Sequence, residues 1–149
     1  MNFFSLVGIF LVVVLGGGLS IGAVARPGEW YAALKKPLFN PPNWVFAPAW
    51  TLLYIMIAVA GARSFARGPD LDFGLWVAQL ALNFVWSPVF FGLHRPRFAL
   101  AIVAALLATI LVFVAVNWSA DRMSALLFLP YAAWVTFATL LNAAIVRLN

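Results

Sequence analysis

Gln79, Asn83, Trp86 and Phe90 are spaced i, i+4, i+7 and i+11. At about 100° per residue that spacing puts two amides and two large aromatic rings on one face of a helix. Amides and rings do not make or break bonds, but they hydrogen-bond and stack, which is the chemistry of recognition. Two further stripes have the same character. Trp50 and Tyr54 are one turn apart, and Pro130, Trp134, Ala138 and Leu141 are spaced to share a face, with Tyr131 and Asn142 on its flanks. A tryptophan one turn before an alanine presents a flat wall with a notch beside it. Flat walls with few polar groups suit a large planar apolar ligand better than a small polar one. The same residues also serve helix packing, because intramembrane Asn and Gln bond neighbouring helices, so spacing alone leaves both readings open.

Bond-making chemistry finds little support. The four acids, Glu29, Asp70, Asp72 and Asp121, fall at the ends of apolar runs, and no two of them form an acid/base pair within one. With no cysteine, disulfide, thiolate and cysteine-metal chemistry are excluded. The single histidine, His94, leaves no room for a His-rich metal site. It reads as an interfacial residue beside Arg95, with axial ligation of a haem iron as the alternative. A proton-coupled carrier needs an ionisable group mid-membrane, and none is present.

The elements that carry these residues are membrane spans. Of the 149 residues 66% are hydrophobic and 9% charged, against about 25% charged in soluble domains. Charges cluster so as to leave five uncharged stretches, Asn2–Ala25, Pro37–Ala62, Phe73–His94, Phe98–Ala120 and Met123–Val146. Each meets the roughly 20 residues that cross a hydrocarbon core of about 30 Å. The prediction is an all-α integral membrane protein, one domain over 1–149. Its five helices run over about 3–25, 44–65, 73–93, 98–118 and 123–146. Short connections after the second, third and fourth spans predict antiparallel neighbours. Ser87-Pro88 predicts a kink in the third span. The first stretch lacks the basic start and small-residue cleavage site of a signal peptide.

Only the first connection, about 26–43, is long, and long irregular loops are usually functional. Within and just after it, KKPLFNPPNWVFAPAW (Lys35–Trp50) holds four prolines, two phenylalanines and two tryptophans. Proline fixes φ, removes a donor and pushes its predecessor toward extended backbone. Such a segment reads as the lid of a binding site or as an interfacial anchor. A short helix around Trp30 and Tyr31, lying at the surface and broken by Pro37, is expected within it. Gly18 and Gly22 form a GxxxG pair, and Gly74 and Ala78 a weaker small-xxx-small pair. Both permit close helix contact, inside the chain or as a dimer seam.

Six cations (Arg26, Lys35, Lys36, Arg95, Arg97, Arg147) fall on one side of five crossings, and Arg63, Arg67 and Arg122 on the other. By the positive-inside rule the first side is cytoplasmic, which puts the N-terminus outside and the C-terminus inside. The net charge of +5 is therefore a matter of topology and not a nucleic-acid signature.

From about Gly22 to Asn142 the chain resembles the TspO/MBR family (translocator protein, tryptophan-rich sensory protein, peripheral-type benzodiazepine receptor). The resemblance rests on Trp30-Tyr31, Lys36-Pro37, Asn40-Pro41-Pro42-x-Trp44-x-Phe46, Trp50 with Tyr54, and Gln79-x-x-x-Asn83-x-x-Trp86. It continues through Phe90-Phe91-Gly92, Pro130-Tyr131-x-x-Trp134 and Asn142. It implies a five-helix bundle, commonly a homodimer, with a lidded cavity for porphyrins such as protoporphyrin IX or haem and for benzodiazepine-type ligands. No obligatory cofactor and no metal are implied. Carried over, the cavity is lined by Trp50, Tyr54, Asn83, Trp86, Phe90, Trp134, Ala138 and Phe46, with Trp30, Tyr31 and Pro41 in the lid. Arg26, Lys35 and Lys36 would form the rim that meets the propionates. A sensory or regulatory role in tetrapyrrole metabolism follows from the resemblance. The alternatives are transport of porphyrins or other apolar ligands, and light-dependent porphyrin breakdown with Trp50 and Trp134 as the photochemical residues. Binding is favoured over enzymatic activity. The family's cholesterol motif lacks its tyrosine in LLNAAIVRLN, so no cholesterol site is expected. A bacterial member of the inner membrane is expected, with the outer membrane as the alternative.

Overall fold

A computed structural model of the chain describes residues 1–68 and 70–149. Among the described residues six α-helices are present: α1 Phe3–Val24, α2 Glu29–Ala33, α3 Phe46–Ala66, α4 Leu71–Ser87, α5 Pro96–Ala120 and α6 Arg122–Leu148. All but the short α2 belong to spans long and apolar enough to cross a membrane, and no β-strand occurs among the described residues. The chain is thus a five-span helical bundle, and α2 belongs to the lid.

Local sequence sets the helix ends. Asn2 caps α1, its side chain accepting from the Ser5 N–H at 2.8 Å. Pro41 and Pro42 hold the chain extended until a 3₁₀ turn, Asn43–Val45, feeds α3. Pro48 sits in the first turn of α3, where a missing N–H costs nothing. Gly68, at φ 110°, turns the chain out of α3. The expected kink after Ser87 is a π-helical turn, Pro88–Gly92, closed by the Leu93 N–H on the Pro88 carbonyl at 2.9 Å. His94 then reverses the chain at φ 57°, and Pro96 opens α5 at its first position. A single extended residue, Asp121, separates α5 from α6.

Packing runs α1–α3–α6–α5–α4 around the bundle, and α1 meets α4 only sparsely. The central core joins α3, α5 and α6 through Ile57, Leu106, Ile110, Phe113, Phe128, Tyr131 and Val135. A second cluster seats the lid, with Tyr31 buried among Val89, Phe90, Ala99, Leu141 and Ile145. α3 and α4 meet through long side chains, Trp76 Nε1 donating to the Ile57 carbonyl at 2.9 Å and Tyr54 to Asn83 at 3.4 Å. Two expectations need correction here. Tyr31 lies in the interior and not at the surface, because its ring packs edge-on against Phe91 at 5.2 Å and Phe90 at 6.1 Å. The short lid helix also ends at Ala33, before Pro37, with Leu34 already extended.

The two ends of the bundle differ in charge. The lid end holds the six cations named above against Glu29, a balance of +5. The far end holds Arg63, Arg67 and Arg122 against Asp70, Asp72 and Asp121, a balance of zero. There the charges are knitted together. Asp121 accepts from Arg63 Nε at 2.9 Å, Arg67 at 2.6 Å and Ser124 Oγ at 2.6 Å, and Arg67 also pairs with Asp72. The Arg63 guanidinium holds the Asp121 carboxyl well below the usual carboxylate range, at about 2. This network ties the α3–α4 connection to the α5–α6 junction.

Candidate ligand cavity

Where α1 and α4 fail to close, a cavity of about 410 Å³ remains between α1, α3 and α4. That volume lies within the range of small-molecule sites, about 300–1,000 Å³. From α1 it is walled by Gly18, Ile21 and Gly22, and from α3 by Phe46, Ala47, Trp50 and Tyr54. Asn83, Phe84, Trp86, Ser87 and Phe91 line the α4 side, and Arg26 and Pro27 stand at the rim. Trp50 lies stacked on Tyr54, ring centres 5.5 Å apart, so the α3 wall is a continuous aromatic surface.

The polar floor is a directional chain. Tyr54 Oη donates to Asn83 Oδ1 at 3.4 Å, Asn83 Nδ2 to Tyr131 Oη at 2.7 Å, and Tyr131 Oη to Gln79 Oε1 at 2.7 Å. These bonds fix the orientation of the Asn83 amide, so its oxygen is the acceptor on the cavity side. A second link joins three helices: Trp86 Nε1 donates to Asn142 Oδ1 at 3.0 Å, and Asn142 Nδ2 to the Pro96 carbonyl at 2.9 Å. The amides of the third span therefore bond neighbouring helices, and Asn83 also faces the cavity. Two buried donors, Gln79 Nε2 and Trp134 Nε1, have no acceptor among the described residues.

Of the residues singled out from the sequence, Phe46, Trp50, Tyr54, Asn83, Trp86 and Arg26 meet around the main cavity. Trp134 does not line it. It stands behind Trp50 in an edge-to-face pair at 6.3 Å and packs on Phe46 and Phe137. Of the expected face of its helix Ala138 and Leu141 are buried, Trp134 is half-buried and Pro130 is exposed, while the flanking Tyr131 and Asn142 are buried. Ala138, Phe90 and Tyr31 border a separate void of about 10 Å³, which shares Phe46, Trp86 and Phe91 with the main cavity as a partition.

The lid meets the main cavity only at its two ends, through Arg26, Pro27 and Asn43. Trp30 stacks on His94, centres 4.4 Å apart and planes within 8°, and Lys35 exchanges two backbone hydrogen bonds with the Asn149 side chain. Tyr31, Pro41 and Lys36 border a third, more open depression on the lid. Of the expected rim cations, Lys36 turns its ammonium onto the carbonyls of Ala32 and Leu34, which leaves Arg26 alone on the cavity.

The expected glycine seam also moves. A Cβ at Gly18 would lie 2.4 Å from Tyr54, so Gly18 is an internal close approach, and Gly22 lines the cavity. Gly74 and Ala78 face outward. Sequence reasoning missed Gly61, whose absent Cβ makes room for Trp76 at 2.3 Å, and it missed Phe84 and Phe91 of the cavity. Phe84 and Phe91 lie one and eight positions after Asn83, and Phe84 is a signal that the Gln79–Phe90 stripe is broader than a single row.

Fold and site together define a polytopic helical membrane protein built around an aromatic-lined internal cavity. A TspO/MBR family model matches residues 9–148, and the chain belongs to that family. It is 40% identical over 133 residues to protein CrtK of Rhodobacter capsulatus, covering 86% of this chain and 83% of the relative. It is 40% identical over 135 residues to a tryptophan-rich sensory protein of Cereibacter sphaeroides (90% and 85% covered). It is 37% identical over 151 residues to the translocator protein of Sus scrofa (96% and 89% covered).

Proposed function

We propose that the chain binds a flat, largely apolar ligand of the porphyrin class in the cavity between α1, α3 and α4 and reports its presence as a sensor in tetrapyrrole metabolism. The observation that carries this reading is the continuous Trp50–Tyr54 wall facing a cavity of about 410 Å³ with a lone arginine at its mouth. A tetrapyrrole would stack on the indole of Trp50, with a propionate on Arg26. Benzodiazepine-type ligands would use the same wall and the Asn83 acceptor. The sensory and translocator names of the relatives support a signalling or carrier role of this kind. The protein would act as a homodimer in the inner membrane, the lid end cytoplasmic, with Gly74 and Ala78 the small residues left free for a seam.

The test is a dark titration of the detergent-purified protein with protoporphyrin IX, followed by tryptophan quenching and the Soret shift. Trp50→Ala is expected to weaken saturable 1:1 binding at least tenfold, about 1.4 kcal/mol. Trp134→Ala, which removes a ring outside the cavity, is expected to change it less than threefold, about 0.7 kcal/mol. Binding that does not saturate, or that ignores Trp50, would leave the aromatic stripes as helix packing only. Repeating the titration in light and oxygen reads out breakdown, and flux into proteoliposomes reads out transport.

A further inference from the structure

We propose that the outer face of the lid docks an anionic phospholipid, its phosphate on Lys36 and Asn40 and its glycerol and acyl region against Leu38, Phe39 and Trp44. This site shares only Asn43 with the lining of the main cavity, and the proposal does not rest on what that cavity holds.

A depression of about 420 Å³ opens on the lid between Tyr31, Lys36, Asn40 and the Pro41–Pro42 pair. Its polar side chains are already held in place. Lys36 Nζ donates to the Ala32 carbonyl at 3.3 Å and the Leu34 carbonyl at 3.2 Å, and lies 4.7 Å from the centre of the Tyr31 ring. An ammonium has three donors, so one remains for a ligand. Asn40 Oδ1 accepts from Tyr31 Oη at 2.9 Å, so the Asn40 amide has its N–H groups left to donate. Prolines supply no donor and no charge. The depression thus offers donors and a cation on ordered side chains, the chemistry of an anion site. Little rotamer freedom is left to lose on binding.

A phosphate or carboxylate from any source would satisfy those donors. The flanks select the lipid. Leu38, Phe39 and Trp44, close in sequence to residues of the depression, each expose more than half of their surface, Phe39 with one edge on Phe137, and exposed apolar surface rimmed by polar groups marks an interaction or membrane site. Tryptophan settles at headgroup level. The entire net charge of +5 lies on this end of the bundle, and basic clusters at a membrane surface attract anionic headgroups. A bound lipid would press on the same lid that holds Trp30 on His94 and Lys35 on Asn149. Through it the lipid composition of the membrane would reach the lid.

Native mass spectrometry of the full detergent-purified chain tests this, with palmitoyl-oleoyl phosphatidylglycerol against phosphatidylcholine of the same chains. Wild type is expected to retain one phosphatidylglycerol at least tenfold more tightly than phosphatidylcholine. The preference should fall about tenfold in Lys36→Gln/Asn40→Ala, survive in Lys36→Arg, and change less than twofold in Arg97→Gln, a cation of the same end outside the depression. Equal retention of the two lipids by wild type overturns the proposal without need of any variant. Equal loss in Arg97→Gln overturns it in favour of diffuse attraction to a basic surface. Competition by inorganic phosphate as effective as by the lipid itself overturns the choice of lipid.

Discussion

Replacing Gly18 by alanine tests whether α1 is seated against the cavity wall or against a second copy. The new Cβ would lie 2.4 Å from Tyr54 Cε2 and 2.5 Å from Cζ. Carbon atoms pack best at about 3.5–4.0 Å, so the ring must retreat by about 1 Å. Tyr54 is not free to do so: it is buried, stacked on Trp50, and its hydroxyl donates to Asn83. Overpacking of this kind costs about 1–3 kcal/mol, partly offset by the roughly 1 kcal/mol that alanine gains over glycine inside a helix. The expected net is a loss of about 1 kcal/mol. Gly22→Ala is the matched control, because a Cβ there meets nothing within 4 Å. It keeps the helix gain without the clash. The two variants should therefore differ by about 1–3 kcal/mol, or roughly 2–12 °C in melting temperature for a chain of this size. Far-UV circular dichroism melts in detergent give that difference, and the dark porphyrin titration adds a second readout, since a displaced Tyr54 breaks the stacking wall. Identical melts would refute the close approach; the affinity of Gly18→Ala is compared with wild type, because Gly22 itself lines the cavity. A Gly18→Ala protein that loses only its dimer, with melt and affinity intact, would put Gly18 on the seam after all.

Three further outcomes are expected. Asp121→Asn removes the charge and one of the two oxygens that Arg63, Arg67 and Ser124 share and should cost about 1 kcal/mol, because Arg63 and Arg67 are about a third exposed and screened. Its pH signature has a definite sign. The folded carboxyl is lowered from 3.8 to about 2, so wild type keeps this stabilisation above about pH 4 and loses it as pH falls through about 2, whereas the asparagine variant shows no such loss in an acid titration of stability. Phe46→Ala opens the partition toward Ala138. Ala138→Leu should then weaken porphyrin binding several-fold in that background but less than twofold in wild type, a coupling that a double-mutant cycle reads directly. Gly61→Ala should cost more than Gly18→Ala, because its Cβ meets both Trp76 at 2.3 Å and Phe10 at 2.8 Å, and Trp76 is tied to the Ile57 carbonyl at 2.9 Å; thermal melts of the two variants side by side check the order.

The spans were legible because charge is expensive in hydrocarbon and therefore marks where each helix stops. Periodicity grouped the α4 residues correctly, since Gln79 and Asn83 have no cheap alternative to pointing inward. It was only partly right for α6, where Ala138 and Leu141 are buried but Tyr131, set on the flank, is buried more deeply than Trp134; apolar character alone does not rank two aromatic rings. What decided that helix was the Tyr131 hydroxyl, which bonds both Asn83 and Gln79, while Trp134 stays out of the cavity lining. The Gly18–Tyr54 contact and the Arg63–Arg67–Asp72–Asp121 network were illegible for another reason. Apart from the local Arg67–Asp72 pair, their contacts join residues 36 to 58 positions apart, and a small-residue motif states only that something comes close, not what. Hydrogen-bond demand therefore orients the helices of this bundle more sharply than hydrophobic periodicity does. The cavity forms where that demand is met on one side of α3 and α4, through Tyr131, and left to α1, a helix of glycines and aliphatics, on the other.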